Sequence, residues 1–135
     1  MSQVRELLMG KHELSLEMIK NLGIGIDIIE VSRFKRKKYE ENRNFYKKIF
    51  VKSEINYCLK FKNSAERFAG KFAIKEATIK SIPEKIGPRD IEIVYVNRKP
   101  RIRLKNSLQK KYDFLVSVSH EKEFAIGIVI AEKIQ

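Results

Sequence analysis

The chain has one cysteine, Cys58, so no internal disulfide framework exists. That fits a reducing compartment. Cys58 stands in a Tyr57-Cys58-Leu59 patch and reads as a small core residue. No Cys/His cluster exists, which argues against zinc and iron–sulfur sites. No apolar run approaches the ~20 residues of a membrane span. Charges break up Met1–Lys20, so the apolar segment of a signal peptide is missing too. Together these absences predict a cytoplasmic protein without a membrane partner. There is no P-loop, and Gly23-Ile24-Gly25 lacks the third glycine of a dinucleotide fingerprint. No internal repeat, low-complexity tract or linker is present.

What the chain does have is a core-forming composition and an excess of positive charge. Its 135 residues are 43% hydrophobic and include eight Phe, which predicts one globular domain. Lys and Arg number 29 against 17 Asp and Glu, a net charge of +12. Such a chain attracts polyanions: nucleic acid, phosphorylated cofactors, an acidic partner protein or an anionic membrane. High Lys with Glu also fits a thermophilic or AT-rich source.

Residues 1–20 read as an N-terminal extension with a short amphipathic helix, and 21–135 as the single domain. Residues 22–31, Leu22-Gly23-Ile24-Gly25-Ile26-Asp27-Ile28-Ile29-Glu30-Val31, predict a strand that is apolar on both faces and largely buried. Gly23 and Gly25 share a face on which another backbone or a ligand approaches closely. Asp27 lies on that face as well. Ser32 is placed to cap a basic helix over 33–38, either a solvated charged face or a binding one. Short helices are predicted over 43–50 and 53–61, and Asn63-Ser64 caps a long helix over 65–80. After the break at Pro83, Gly87 and Pro88 come strands over 90–96 and 101–104, a short polar helix over 106–111, and a hairpin of 114–119 with 124–130. The order predicts an α+β fold, with one long helix and several short ones packed on a mostly antiparallel sheet.

On the long helix, Ala65, Ala69, Phe72 and Ala73 fall within about 60° of Glu76. Glu76 therefore sits mid-way across the apolar face, while Lys71 and Lys75 point to the flanks or the far side. An isolated buried carboxylate is costly. Three remedies stay open: a buried pair with Lys80 that only holds the fold, a raised pKa, or a metal. Asp27, an acid inside an Ile-rich strand, is the second anomaly. Two hard oxygen ligands on separate elements suit Mg²⁺, and the basic residues would hold a phosphorylated substrate. His120, at a strand end, reads either as a surface turn residue or as a phosphate or proton-transfer group.

Three blocks resemble the holo-acyl-carrier-protein synthase family of small phosphopantetheinyl transferases. They are Gly23-Ile24-Gly25-Ile26-Asp27-Ile28-Ile29-Glu30 with Arg33, Phe68-Ala69-Gly70-Lys71-Phe72-Ala73-Ile74-Lys75-Glu76-Ala77 with Lys80, and Ser117-Val118-Ser119-His120. The resemblance implies the 4′-phosphopantetheinyl transferase-like fold. It also implies transfer of the 4′-phosphopantetheine arm of coenzyme A to a serine of acyl carrier protein, in fatty acid biosynthesis. By the match, Asp27 and Glu76 are the Mg²⁺ ligands, and with Lys80 they form the catalytic set. Lys71, Lys75, Lys80, Ser119 and His120 line the coenzyme A site. Lys71 stands where many relatives have arginine. Arg33 and Arg36 meet the acidic carrier protein, and the assembly is a homotrimer with active sites at subunit interfaces. The turn Asn97-Arg98-Lys99-Pro100 departs from the family in lacking a glycine before Lys-Pro. The rival reading is a basic nucleic-acid-binding module without catalysis. It explains the net charge but not two acids in apolar positions.

Overall fold

The computed structural model describes residues 19–134. The helix expected over residues 1–20 therefore lies, for residues 1–18, outside the described residues. The elements run β1 (Leu22–Glu30), α1 (Ser32–Arg36), α2 (Arg43–Lys47), α3 (Lys52–Leu59), α4 (Ser64–Ser81), β2 (Ile91–Val96), β3 (Lys99–Leu104), β4 (Tyr112–His120) and β5 (Phe124–Lys133). The fold is α+β, as the element order implies. The strands pair antiparallel throughout, but in two sheets, β1-β5-β4 and β2-β3. Asn97 and Arg98 close the β2–β3 hairpin at φ 52° and 66°. Positive φ at both positions is the type I′ form of a two-residue hairpin turn, so Arg98 adopts a backbone that glycine would take more cheaply.

Helix α4 crosses the three-stranded sheet in direct backbone contact. A Cβ at Gly23 or Gly25 would lie 1.8 Å from the carbonyl oxygen of Ser81 or Ala77, and one at Gly127 would lie 2.8 Å from Ala73 C. The glycine face of β1 thus receives another backbone. The core divides on either side of α4. Phe34, Tyr46, Phe50, Phe68, Phe72 and Cys58 pack on one side, and Ile74, Ile91, Ile93, Tyr112, Val129 and Ala131 on the other. Burial pushes the Cys58 thiol up to about 12, the behaviour of an inert core residue.

Two expectations are corrected. The first is that β1 is largely buried. Its second face is bare: Ile24 is 67% exposed, and Ile26 and Ile28 are also exposed, because helices cover the sheet on one side only. Leu115, Phe124, Ile126 and Ile128 continue that apolar face on β4 and β5.

The second concerns α4, where Lys71 and Lys75 are buried and Glu76 is only half-buried. The hairpin β2–β3 and helix α3 cover the side that was expected to face solvent. Lys75 Nζ pairs with Glu54 Oε1 at 2.6 Å and donates to the Ile91 and Pro88 carbonyls at 2.6 and 2.8 Å. Lys71 Nζ donates to the Ile93 carbonyl at 2.6 Å. It also sits 4.6 and 5.2 Å from the ring centroids of Tyr57 and Tyr95, which stack at 6°. Burial lowers the pKa of both lysines, and Glu54 opposes that in each.

Candidate active site

Asp27 points from β1 toward α4, where Glu76 and Lys80 follow one another by one turn. Lys80 Nζ donates to Asp27 Oδ1 at 2.8 Å and to the Ile26 carbonyl at 3.1 Å. The lysine pairs with the strand acid, not with Glu76. Burial, then the charge of Asp27, holds the Glu76 carboxyl above its ordinary range, and Lys80 and Arg33 oppose that. The Glu76 carboxylate accepts no hydrogen bond among the described residues.

The result is a like-charged pair with one carboxylate unpartnered. Such a pair fits a hard divalent cation with oxygen ligands. No group of three or more metal-ligating side chains occurs among the described residues, so a cation at this pair would draw two carboxylates from the chain. Magnesium takes that number, with phosphate oxygens and water completing its shell.

The other candidate residues are dispersed. Lys71 and Lys75 are engaged inside the core, on Ile93 and on Glu54 with Ile91 and Pro88. The structure does not bring them to the carboxylates, and neither is open to a ligand. Arg33 is exposed on α1, with its guanidinium 5.4 Å from the Phe72 ring centroid, and Arg36 is exposed further along. His120 ends β4, with Nδ1 3.9 Å from Glu66 Oε2. Ser119 is exposed on the opposite face of that strand. Asp27 and His120 lie on the two outer strands with β5 between them. Strand spacing and rise put their backbones roughly 12 Å apart.

His120 instead lines a cavity of about 940 Å³ with Arg67, Arg98, Lys99, Arg101 and Arg103. None of Asp27, Glu76 or Lys80 reaches it. The sequence reading missed two residues. Glu54 was visible only as the acid at a helix start, and its partner lies in another element. Arg67 was hidden among the charges beside the motif.

Comparison with known proteins accounts for the pattern. Residues 23–129 match the model of the 4′-phosphopantetheinyl transferase superfamily. The holo-[acyl-carrier-protein] synthase of Mycoplasma mycoides subsp. mycoides is 42% identical over 117 residues, covering 85% of this chain and 96% of that protein. The synthase of Chlamydia felis is 36% identical over 115 residues, covering 80% and 94%. Among solved structures, the Bacillus anthracis synthase in complex with coenzyme A (3′,5′-ADP) is 32% identical with a TM-score of 0.69, covering 82% of this chain and 96% of that one. The Helicobacter pylori synthase in complex with coenzyme A is 30% identical with a TM-score of 0.69, covering 81% and 99%. The nucleic-acid-binding reading finds no support in these matches. Motifs, fold and overall similarity agree, and the chain belongs to the 4′-phosphopantetheinyl transferase superfamily.

Proposed function

We propose that this chain is a holo-[acyl-carrier-protein] synthase. It transfers the 4′-phosphopantetheine arm of coenzyme A to a serine of apo acyl carrier protein, releasing adenosine 3′,5′-bisphosphate. The observation that carries this reading is the Asp27–Glu76–Lys80 cluster, formed by two of the three family blocks. Asp27 and Glu76 would hold magnesium, which neutralises charge on the pyrophosphate when bound. Lys80 orients Asp27 and presents a half-exposed ammonium to phosphate oxygens. Partial burial of Glu76 lowers the local dielectric and strengthens both interactions. The carrier serine oxygen then attacks the β-phosphorus in line, its proton passes to Glu76 or to water, and the pyrophosphate P–O bond breaks to release the bisphosphate.

The same proposal includes a cytoplasmic location. No helix among the described residues is long and apolar enough to cross a membrane.

The partner surface is α1. Exposed Arg33 and Arg36 suit an acidic carrier protein. Arg33→Glu is expected to weaken carrier-protein binding about tenfold and coenzyme A binding much less. Equal losses in two calorimetric titrations would count against this.

The assembly reading is a homotrimer with active sites shared between neighbours. Two observations support it. The apolar face from Ile24 to Ile28, continued by Leu115 (71% exposed) and Ile128, is too extensive for an isolated soluble chain. The carboxylate cluster and the His120 cavity are also separate within one chain. Ile128→Lys is expected to reduce the light-scattering mass to that of one 15.9 kDa chain and to abolish transfer with it. A variant that is monomeric yet fully active would overturn the shared site.

The central experiment is intact-mass analysis of apo acyl carrier protein incubated with coenzyme A, with and without magnesium. Gain of one phosphopantetheine arm only with metal is expected. No mass gain under any condition would reject the function.

A further inference from the structure

Lys80 lies one turn beyond Glu76 on α4, yet its ammonium turns to the strand. Nζ donates to Asp27 Oδ1 at 2.8 Å and to the Ile26 carbonyl at 3.1 Å. Its only ion pair among the described residues is with Asp27. The two partners are unequal. Lys80 is a long side chain, 53% exposed, whereas Asp27 is short and 17% exposed. Asp27 stands opposite Gly127 on the neighbouring strand, and both Gly25 and Gly127 are pressed against the backbone of α4. When this pair opens, the lysine is the part that moves.

Asp27 is asked to serve two cations with one carboxylate. On the magnesium reading proposed above, on which this inference rests, its oxygens ligate a dication together with Glu76. The same carboxylate already holds an ammonium. Two cations on one carboxylate repel each other, and partial burial weakens the screening between them. The ammonium is released from this conflict when a phosphate oxygen takes it, because that contact is also charge-assisted.

We infer that Lys80 is a built-in competitor for the cation: it holds Asp27 until a phosphate-bearing ligand draws it away, and so makes firm divalent-cation binding conditional on that ligand. A phosphate that takes the ammonium releases Asp27 Oδ1 to the metal. A metal that takes Asp27 releases the ammonium to phosphate. By linkage, each raises the affinity of the chain for the other by the same factor. The chain alone holds the cation weakly, and the ligand makes the hold firm.

The test is binding of Mn²⁺ alone, with no coenzyme A or phosphate present, read from the electron paramagnetic resonance signal of free Mn²⁺. Manganese takes the same carboxylate ligands as magnesium. Lys80→Met keeps the apolar stem and is expected to bind Mn²⁺ about tenfold tighter than wild type, the scale of one charge-assisted contact. Lys80→Arg keeps the charge and is expected to stay near wild type. Arg33 is the control: its charge acts on Glu76, but its guanidinium sits by the Phe72 ring and makes no ion pair with Asp27. Arg33→Met is expected to change Mn²⁺ affinity less than Lys80→Met does. Lys80 is half-exposed, so its variants are expected to fold, and circular dichroism checks this. Equal affinity in wild type and Lys80→Met, or an equal gain in Arg33→Met, overturns the inference. Asp27→Asn separates it from the reading on which it rests. Mn²⁺ binding that Asp27→Asn abolishes, with no gain in Lys80→Met, sinks the competition alone. No Asp27-dependent binding in either wild type or Lys80→Met sinks the metal assignment and the competition with it.

Discussion

Glu76→Gln is expected to cut transfer by a hundredfold to about a thousandfold or more, and to melt no lower than wild type at neutral pH. Glu76 is half-buried beside Asp27, and both facts hold its carboxyl above the ordinary value of 4.5. A folded chain then keeps that proton when an unfolded chain has lost it. Stability from this group is fully present below the unfolded value and is lost as pH climbs through the raised folded value. The glutamine variant lacks that loss. Melting curves recorded from acid to neutral pH should therefore fall less steeply for Glu76→Gln than for wild type. Magnesium should raise the melting temperature of wild type and leave Glu76→Gln and Asp27→Asn unmoved. Full transfer activity in Glu76→Gln, or an equal magnesium shift in both proteins, would reject the metal assignment.

Glu54→Gln is expected to destabilise the chain by about 3–5 kcal/mol, the scale seen when one partner of a buried ion pair is removed. Lys75 Nζ would keep the Pro88 and Ile91 carbonyls but lose its counter-charge at full burial. Glu54 also accepts from Ile93 N at 2.8 Å and Val51 N at 2.9 Å, so one side chain joins α3, α4 and β2. A domain of this size has little stability in reserve. Urea unfolding would measure the loss, and adding Lys75→Met in the same background should recover part of it. A change below about 1 kcal/mol would show that the pair is not what fixes the hairpin to the helix.

Much of this was legible in the sequence, and the reason differs from residue to residue. Strand β1 announced itself by its run of β-branched residues and helix α4 by its apolar stripe, and the two acids stood out because each interrupted an apolar pattern. The structure puts Asp27 and Glu76 within electrostatic reach of each other. The pairing of Lys80 with Asp27 was not legible, since it joins residues 53 positions apart. Lys71 and Lys75 misled for a physical reason. A helix wheel assigns a solvent side wherever lysines gather, but α4 is covered by β2 on that side as well. A long lysine stem buries readily once its ammonium finds carbonyls and an aromatic cage. The exposed isoleucines of β1 misled in the opposite direction. An apolar run tells that a face is to be covered, and not whether the same chain covers it.

Beneath α4 the strands carry no Cβ atoms at Gly23, Gly25 and Gly127, so carbonyls of the helix rest on bare peptide. The gap between helix and sheet is then fixed by atoms that have no rotamers. Asp27 and Glu76 inherit their separation from that gap. On the magnesium reading proposed above, capturing a cation between them would restrict only the torsions of two side chains, because both anchor points are already still. The entropic cost of ordering falls accordingly. For a site with two protein ligands, that saving would weigh heavily in how tightly a cation is held.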